Sequence, residues 1–133
     1  MAFVLDTSIS AVWALADEAS PLAELAASRL LQETALVPHI WWYEMRNILV
    51  ISERRQRITA GDSGIFLDLL ASYPIQIDAV DDEQRILQLA RQFRLSFYDA
   101  AYLAVAQRNQ IPLATLDKAL EAAAVAAGIA LLS

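Results

Sequence analysis

Phe3-Val4-Leu5-Asp6-Thr7-Ser8 and Leu113-Ala114-Thr115-Leu116-Asp117 follow one pattern, a short apolar run that ends in hydroxyls and an acid. An apolar run with no polar alternation reads as a strand buried on both faces. The hydroxyls and acids after it read as a turn and the N-cap of a helix. Three more runs fit the strand pattern: Ala35-Leu36-Val37 closed by Pro38, Ile75-Gln76-Ile77 after Pro74, and Ile129 to Leu132 after Gly128. Between them lie helical segments. These are Ser8–Ala16, Pro21–Glu33 with Ser20 as N-cap, His39 to about Arg57, a Thr59-capped helix to Ser72, an Asp81-capped helix to Arg94, Ser96-capped Phe97–Asn109, and an Asp117-capped helix to Ala127. Five short strands separated by helices predict an α/β fold, with a five-stranded parallel sheet covered on both faces. No linker, repeat or charge block interrupts the 133 residues, so one domain, 1–133, is expected.

Composition removes several chemistries. There is no Cys, which excludes disulfides, thiolate catalysis, zinc knuckles and iron–sulfur clusters. A single His, His39, excludes a two-histidine acid–base pair, and its place before a helix reads as a loop or cap role. Gly61, Gly64 and Gly128 cannot be arranged into a phosphate-binding P-loop or a dinucleotide fingerprint. The N-terminal stretch lacks a basic segment and meets Asp6 early, unlike a signal peptide. Ala122–Leu132 is shorter than the roughly 20 residues of a membrane span. A cytoplasmic location is expected. The net charge of −6 argues against generic nucleic-acid binding, which needs clustered Lys and Arg.

Topology points to the site. Ligands of open α/β sheets bind beyond the carboxyl ends of the strands. Asp6 and Asp117 leave two strands at that edge. Asp99 lies in the first turn of the helix that feeds the Leu113 strand, so it returns to the same edge. Glu44 lies about one and a half turns into the helix that leaves Val37. Asp6, Asp99 and Asp117 each have an ordinary reading as helix caps. Glu44 is harder to explain, because Ile40, Trp41 and Ile48 surround it on the helix face. A buried carboxylate needs compensation, and Asn47 offers a hydrogen bond but no charge. A divalent cation answers the need, and carboxylate oxygens select Mg²⁺ or Mn²⁺. Thr7, Ser8 and Thr115 flank this edge as supporting hydroxyls, or as ordinary caps and turn bonds.

Val4-Leu5-Asp6-Thr7-Ser8, Pro38–Leu49 with Glu44 and Asn47, Tyr98-Asp99-Ala100-Ala101-Tyr102-Leu103-Ala104 and Ala114-Thr115-Leu116-Asp117 together resemble the PIN-domain family, above all the VapC-type toxins. The match runs in order over nearly the whole chain. The resemblance implies a three-layer α/β/α sandwich, Mg²⁺- or Mn²⁺-dependent endoribonuclease activity, homodimerisation and inhibition by a cognate antitoxin. It maps the family acids onto Asp6, Glu44 and Asp99, the more variable fourth acid onto Asp117, and the small hydroxyl onto Thr7 or Ser8. A cationic rim for RNA would come from Arg46, Arg54, Arg55 and Arg57, although the last two also suit a helix C-terminus. Trp13, Trp41, Trp42 and Tyr43 are expected to serve the core or a dimer surface.

Other classes fit less well. A haloacid-type phosphatase needs a second Asp two residues after the first, where Ser8 stands. A response receiver needs an acid pair after the first strand, and only Asp6 is there. A non-catalytic binding module on the same fold gives no reason to keep Glu44.

Overall fold

The computed structural model describes residues 1–133. In chain order it contains β1 (Ala2–Leu5), α1 (Thr7–Ala14), α2 (Pro21–Arg29), β2 (Thr34–Val37), α3 (His39–Arg54), α4 (Ala60–Ser72), β3 (Ile75–Ile77), α5 (Glu83–Phe93), α6 (Phe97–Asn109), β4 (Leu113–Ala114) and α7 (Lys118–Ala126). The strands pair in parallel in the order β3-β2-β1-β4.

Strand order fixes the layers. From β1 the chain steps to β2 and then β3, and then crosses back to β4 on the far side of β1. Right-handed crossovers put α1–α4 on one face and α5–α7 on the other. The packing agrees: α1 meets α2 and α3, while α6 meets α5, α7 and three of the strands. The reversal between β1 and β4 is a topological switch point, where a crevice opens beyond the strand ends.

Local chemistry explains the elements. Phe3, Val4 and Leu5 are fully buried, as a strand covered on both faces requires. Ser20 caps α2 through the amide of Ala23, with Pro21 in the first turn. Thr59 and Asp62 form a reciprocal capping box at α4. Helix α6 is buried without a break from Ala100 to Ala106. Its small alanines let it lie against the sheet while α5 and α7 cover its flanks. Asp82, not Asp81, caps α5.

The expected fifth strand is not formed. Ile129–Leu132 contributes only an isolated parallel bridge, Leu113 to Leu131. Leu113 donates to Ala130 O and accepts from Leu132 N, both at 2.9 Å. Of the two β4 residues, only Leu113 turns its peptide groups outward, because Ala114 and Pro112 face β1. The sheet therefore has four strands, and its outer edge is a single rung.

Trp41 is a core residue whose indole N–H donates to Ser10 Oγ at 3.0 Å. Trp13 donates to Ala23 O at 2.9 Å and packs edge-on against Tyr73. Trp42 and Tyr43 remain exposed. No helix is long and apolar enough to cross a membrane.

Candidate functional site

Asp6 leaves β1 at the switch point and is buried, with 6% of its surface exposed. It stands at the N-cap position of α1, yet its side chain makes no capping bond. The carboxylate is instead held from the side. Ser8 Oγ donates to Asp6 Oδ2 at 2.6 Å and Thr115 Oγ1 donates to the same oxygen at 2.8 Å. Each hydroxyl is fixed in turn by an amide. Leu116 N donates to Ser8 Oγ at 2.9 Å, and Asp117 N donates to Thr115 Oγ1 at 3.0 Å. Oδ1 accepts no side-chain hydrogen bond. Burial pushes the Asp6 acid up, the Ser8 and Thr115 hydroxyls pull it down, and Asp117 adds a smaller upward push.

Glu44, half-buried on α3, is held by two hydroxyls. Its Oε1 accepts from Thr7 Oγ1 at 3.1 Å and from Tyr102 OH at 2.7 Å. Thr7 and Tyr102 also touch each other at 2.7 Å. Asn47 is exposed and makes no bond to Glu44, so the expected amide partner is replaced by a phenol from α6. Tyr102 is fully buried. Burial raises its pKa, and the Glu44 carboxylate raises it further, so the phenol stays a neutral donor.

Asp99 and Asp117 sit on helix N-termini. Ser96 caps α6 through the amide of Asp99 at 3.0 Å, but Asp99 makes no return bond to the Ser96 amide. Burial raises the Asp99 acid to about 6, followed by repulsion from Asp117, Asp6 and Glu44, with the Ser96 hydroxyl opposing. All three other site carboxylates thus act on Asp99. Asp117 caps α7, accepting from Leu120 N at 3.0 Å on Oδ1. Its ordinary capping reading therefore holds for one of its oxygens.

None of the four acids takes part in an ion pair. The donor set is all oxygen and anionic, which suits a hard divalent cation. The side chains are not drawn in to ligating separation, since no three carboxylates or histidines form a group that could hold a metal. The four acids face one edge and feel one another, but they stand further apart than the crowding expected from sequence. Burial of Glu44 is answered by neutral hydroxyls rather than by a charge.

The other candidates resolve individually. His39 opens α3, half-exposed, with Nε2 3.6 Å from Asp81 Oδ1. Arg57 is engaged by Asp17 and Glu18 at 3.0–3.2 Å, which removes it from a free cationic rim. Arg46 lies over the Trp42 ring, 4.2 Å from its centroid. Arg54 and Arg55 are exposed at the end of α3. Sequence reasoning did not assign a role to Tyr102. The signal available was its position three residues after Asp99, one helical turn along.

An acidic crevice at the switch point of a parallel α/β sheet, with hydroxyls orienting its carboxylates, defines the class of site. The PIN domain family model matches residues 3–126, and the chain belongs to that family, whose members are generally nucleases. Its fold is similar to that of PAE2754 from Pyrobaculum aerophilum, with TM-score 0.71 and 24% identity over 92% of this chain and 87% of that one. It is also similar to VapC20 of Mycobacterium tuberculosis, described as a sarcin-ricin loop cleaving toxin, with TM-score 0.62 and 17% identity over 91% and 94% of the two chains. No curated protein matches the sequence significantly.

Proposed function

We propose that this chain is a single-domain, Mg²⁺- or Mn²⁺-dependent endoribonuclease. In this reading it is the toxin of a toxin–antitoxin pair, acts in the cytoplasm as a homodimer and is silenced by a cognate antitoxin protein. The observation that carries the reading is that acids from four separate segments face one sheet edge with no basic side chain paired to any of them, and that burial and the other three acids all push Asp99 up. Family membership supports nuclease chemistry.

Asp6, Glu44, Asp99 and Asp117 are the residues that would hold the cation. When bound, such an ion supplies the positive charge that polarises a phosphoryl oxygen and makes water a better nucleophile. The protein's own contribution is orientation. Ser8 and Thr115 lock Asp6 through one oxygen and leave the other without a side-chain partner. Thr7 and Tyr102 do the same for Glu44, both donating to Oε1 and leaving Oε2 uncommitted. These bonds fix carboxylate direction without neutralising it, the usual task of groups behind metal ligands. The acidic crevice repels phosphate until its charge is compensated, so RNA binding should depend on the ion.

VapC20 is described as cleaving the sarcin-ricin loop, so a ribosomal stem-loop is the first RNA to try. Cleavage should require Mn²⁺ or Mg²⁺ and stop in EDTA. With water as nucleophile, the products should carry 5′-phosphate and 3′-hydroxyl ends. A 2′,3′-cyclic phosphate product, or undiminished cutting in EDTA, would overturn the proposal.

A further inference from the structure

Beside the acids lies a cavity of about 250 Å³ that the chemistry above does not use. Tyr43 and Tyr98 stand at its mouth, 66% and 57% exposed. Each directly precedes a site acid in sequence, Glu44 and Asp99 respectively. Both tyrosines also line the open groove that contains Glu44, Arg46 and Asn47, so groove and cavity adjoin across them. Phe97 and Val105 form part of the apolar wall. Asp78 and Arg108 supply polarity.

That polar pair is unusual. Asp78 accepts from Asn109 Nδ2 at 2.8 Å and from Val80 N at 3.0 Å, and Arg108 Nη2 lies 2.9 Å from its Oδ1. The contact with Arg108 is close but poorly aligned. Among the chain's buried side-chain nitrogens and oxygens, Arg108 Nη2 alone lacks a hydrogen bond. Its ion pair with Asp78 nevertheless fixes that end of the guanidinium, and the Arg108 side chain remains 27% exposed at a cavity whose mouth carries two exposed aromatic rings.

We propose that this cavity takes one unstacked base of single-stranded RNA, from a nucleotide next to the cleaved phosphate. Tyr43 and Tyr98 stack on the base, and Arg108 donates to an acceptor on its edge. Splayed bases stacked on aromatic rings and read along their edges are the general mode of single-strand recognition. Arg46, in the adjoining groove and in no ion pair, is placed for the flanking phosphate. The inference rests on the nuclease reading and adds to it a source of sequence preference.

The test uses single-stranded RNA carrying 2-aminopurine, mixed with the unaltered protein in Mn²⁺ and read by stopped flow before cutting proceeds. Stacking should quench the fluorescence. Tyr43→Ala or Tyr98→Ala should abolish the quench, and Tyr→Phe at either position should restore it. In the otherwise unaltered enzyme, each alanine should lower kcat/KM roughly five- to a hundredfold. An RNA with one abasic position beside the cut should show the same loss, with no further loss when combined with the alanine variants. Unchanged quench and unchanged kcat/KM in the alanine variants would overturn the assignment. So would variants that only turn a dimer into monomers while RNA still quenches, which would hand the cavity to a second copy of this chain. Failure of the unaltered protein to cut any RNA in Mn²⁺ sinks the nuclease reading instead, and the quench reports base stacking separately from it.

Discussion

The two halves of the acidic crevice are built differently. Asp6 and Glu44 form an inner half, each gripped on one oxygen by two hydroxyls, of which all but Ser8 come from distant parts of the chain. Asp99 and Asp117 form an outer half on helix N-termini, where the helix dipole supports both and the Leu120 amide also donates to Asp117. The inner acids are oriented by tertiary packing, whereas the outer ones are placed by secondary structure. The inner half should therefore govern chemical precision, and the outer half should govern charge and its response to pH.

The largest effect is expected from Asp6→Asn. It keeps an oxygen for Ser8 and Thr115 but loses the charge, and metal-dependent cleavage should fall on the order of a hundredfold or more. A variant that cuts normally would end the distinction between the halves. Tyr102→Phe tests the inner half without touching an acid. Loss of a buried bond to a carboxylate should lower stability by about 2 kcal/mol, read by urea unfolding. Cleavage should drop about tenfold, because Thr7 alone then orients Glu44.

Asp99→Asn tests the outer half in the opposite sense. The folded-state value of about 6 lies above the ordinary 3.8, so the native protein holds this proton more tightly than the unfolded chain. Its contribution to stability is full below about pH 4 and is lost as pH rises through about 6. In EDTA at neutral pH, Asp99→Asn should raise stability by about 1 kcal/mol after solvent screening, seen as a higher Tm. The gain should shrink as pH falls from about 6 and be gone below about 4. Asp117 gives the smallest effect. Asp117→Ala should lose about 1 kcal/mol with its cap, while Asp117→Asn keeps the cap and should change thermal stability little. Equal destabilisation by both would show that charge rather than capping holds this end of α7.

The carboxyl edge was legible because strand exits and helix entries are local signals. Asp6, Asp117 and Asp99 are fixed to that edge by the order of apolar runs, caps and prolines around them. Glu44 follows from helix pitch alone. The partner of Glu44 was not legible. Every residue from Ala100 to Ala106 is buried, so the pattern of α6 does not show which side chain turns toward the acids. Arg57 likewise looked free, because its pairing with Asp17 and Glu18 joins segments about 40 residues apart. The fifth strand failed for a related reason. Ile129–Leu132 has strand composition, but pairing depends on how many outward peptide groups the neighbour offers, and β4 offers those of Leu113 alone.

Sequence by itself determined the parallel α/β architecture and the placing of four acids toward one sheet edge, though not their crowding, since both follow from short-range patterning and the handedness of crossovers. Tertiary structure decided how those acids are held: which hydroxyl grips which oxygen, how far apart the carboxylates stand, and which cations are already engaged. Hydrogen bonds of under 3.2 Å between residues 37 to 109 positions apart depend on side-chain packing rather than on any local propensity.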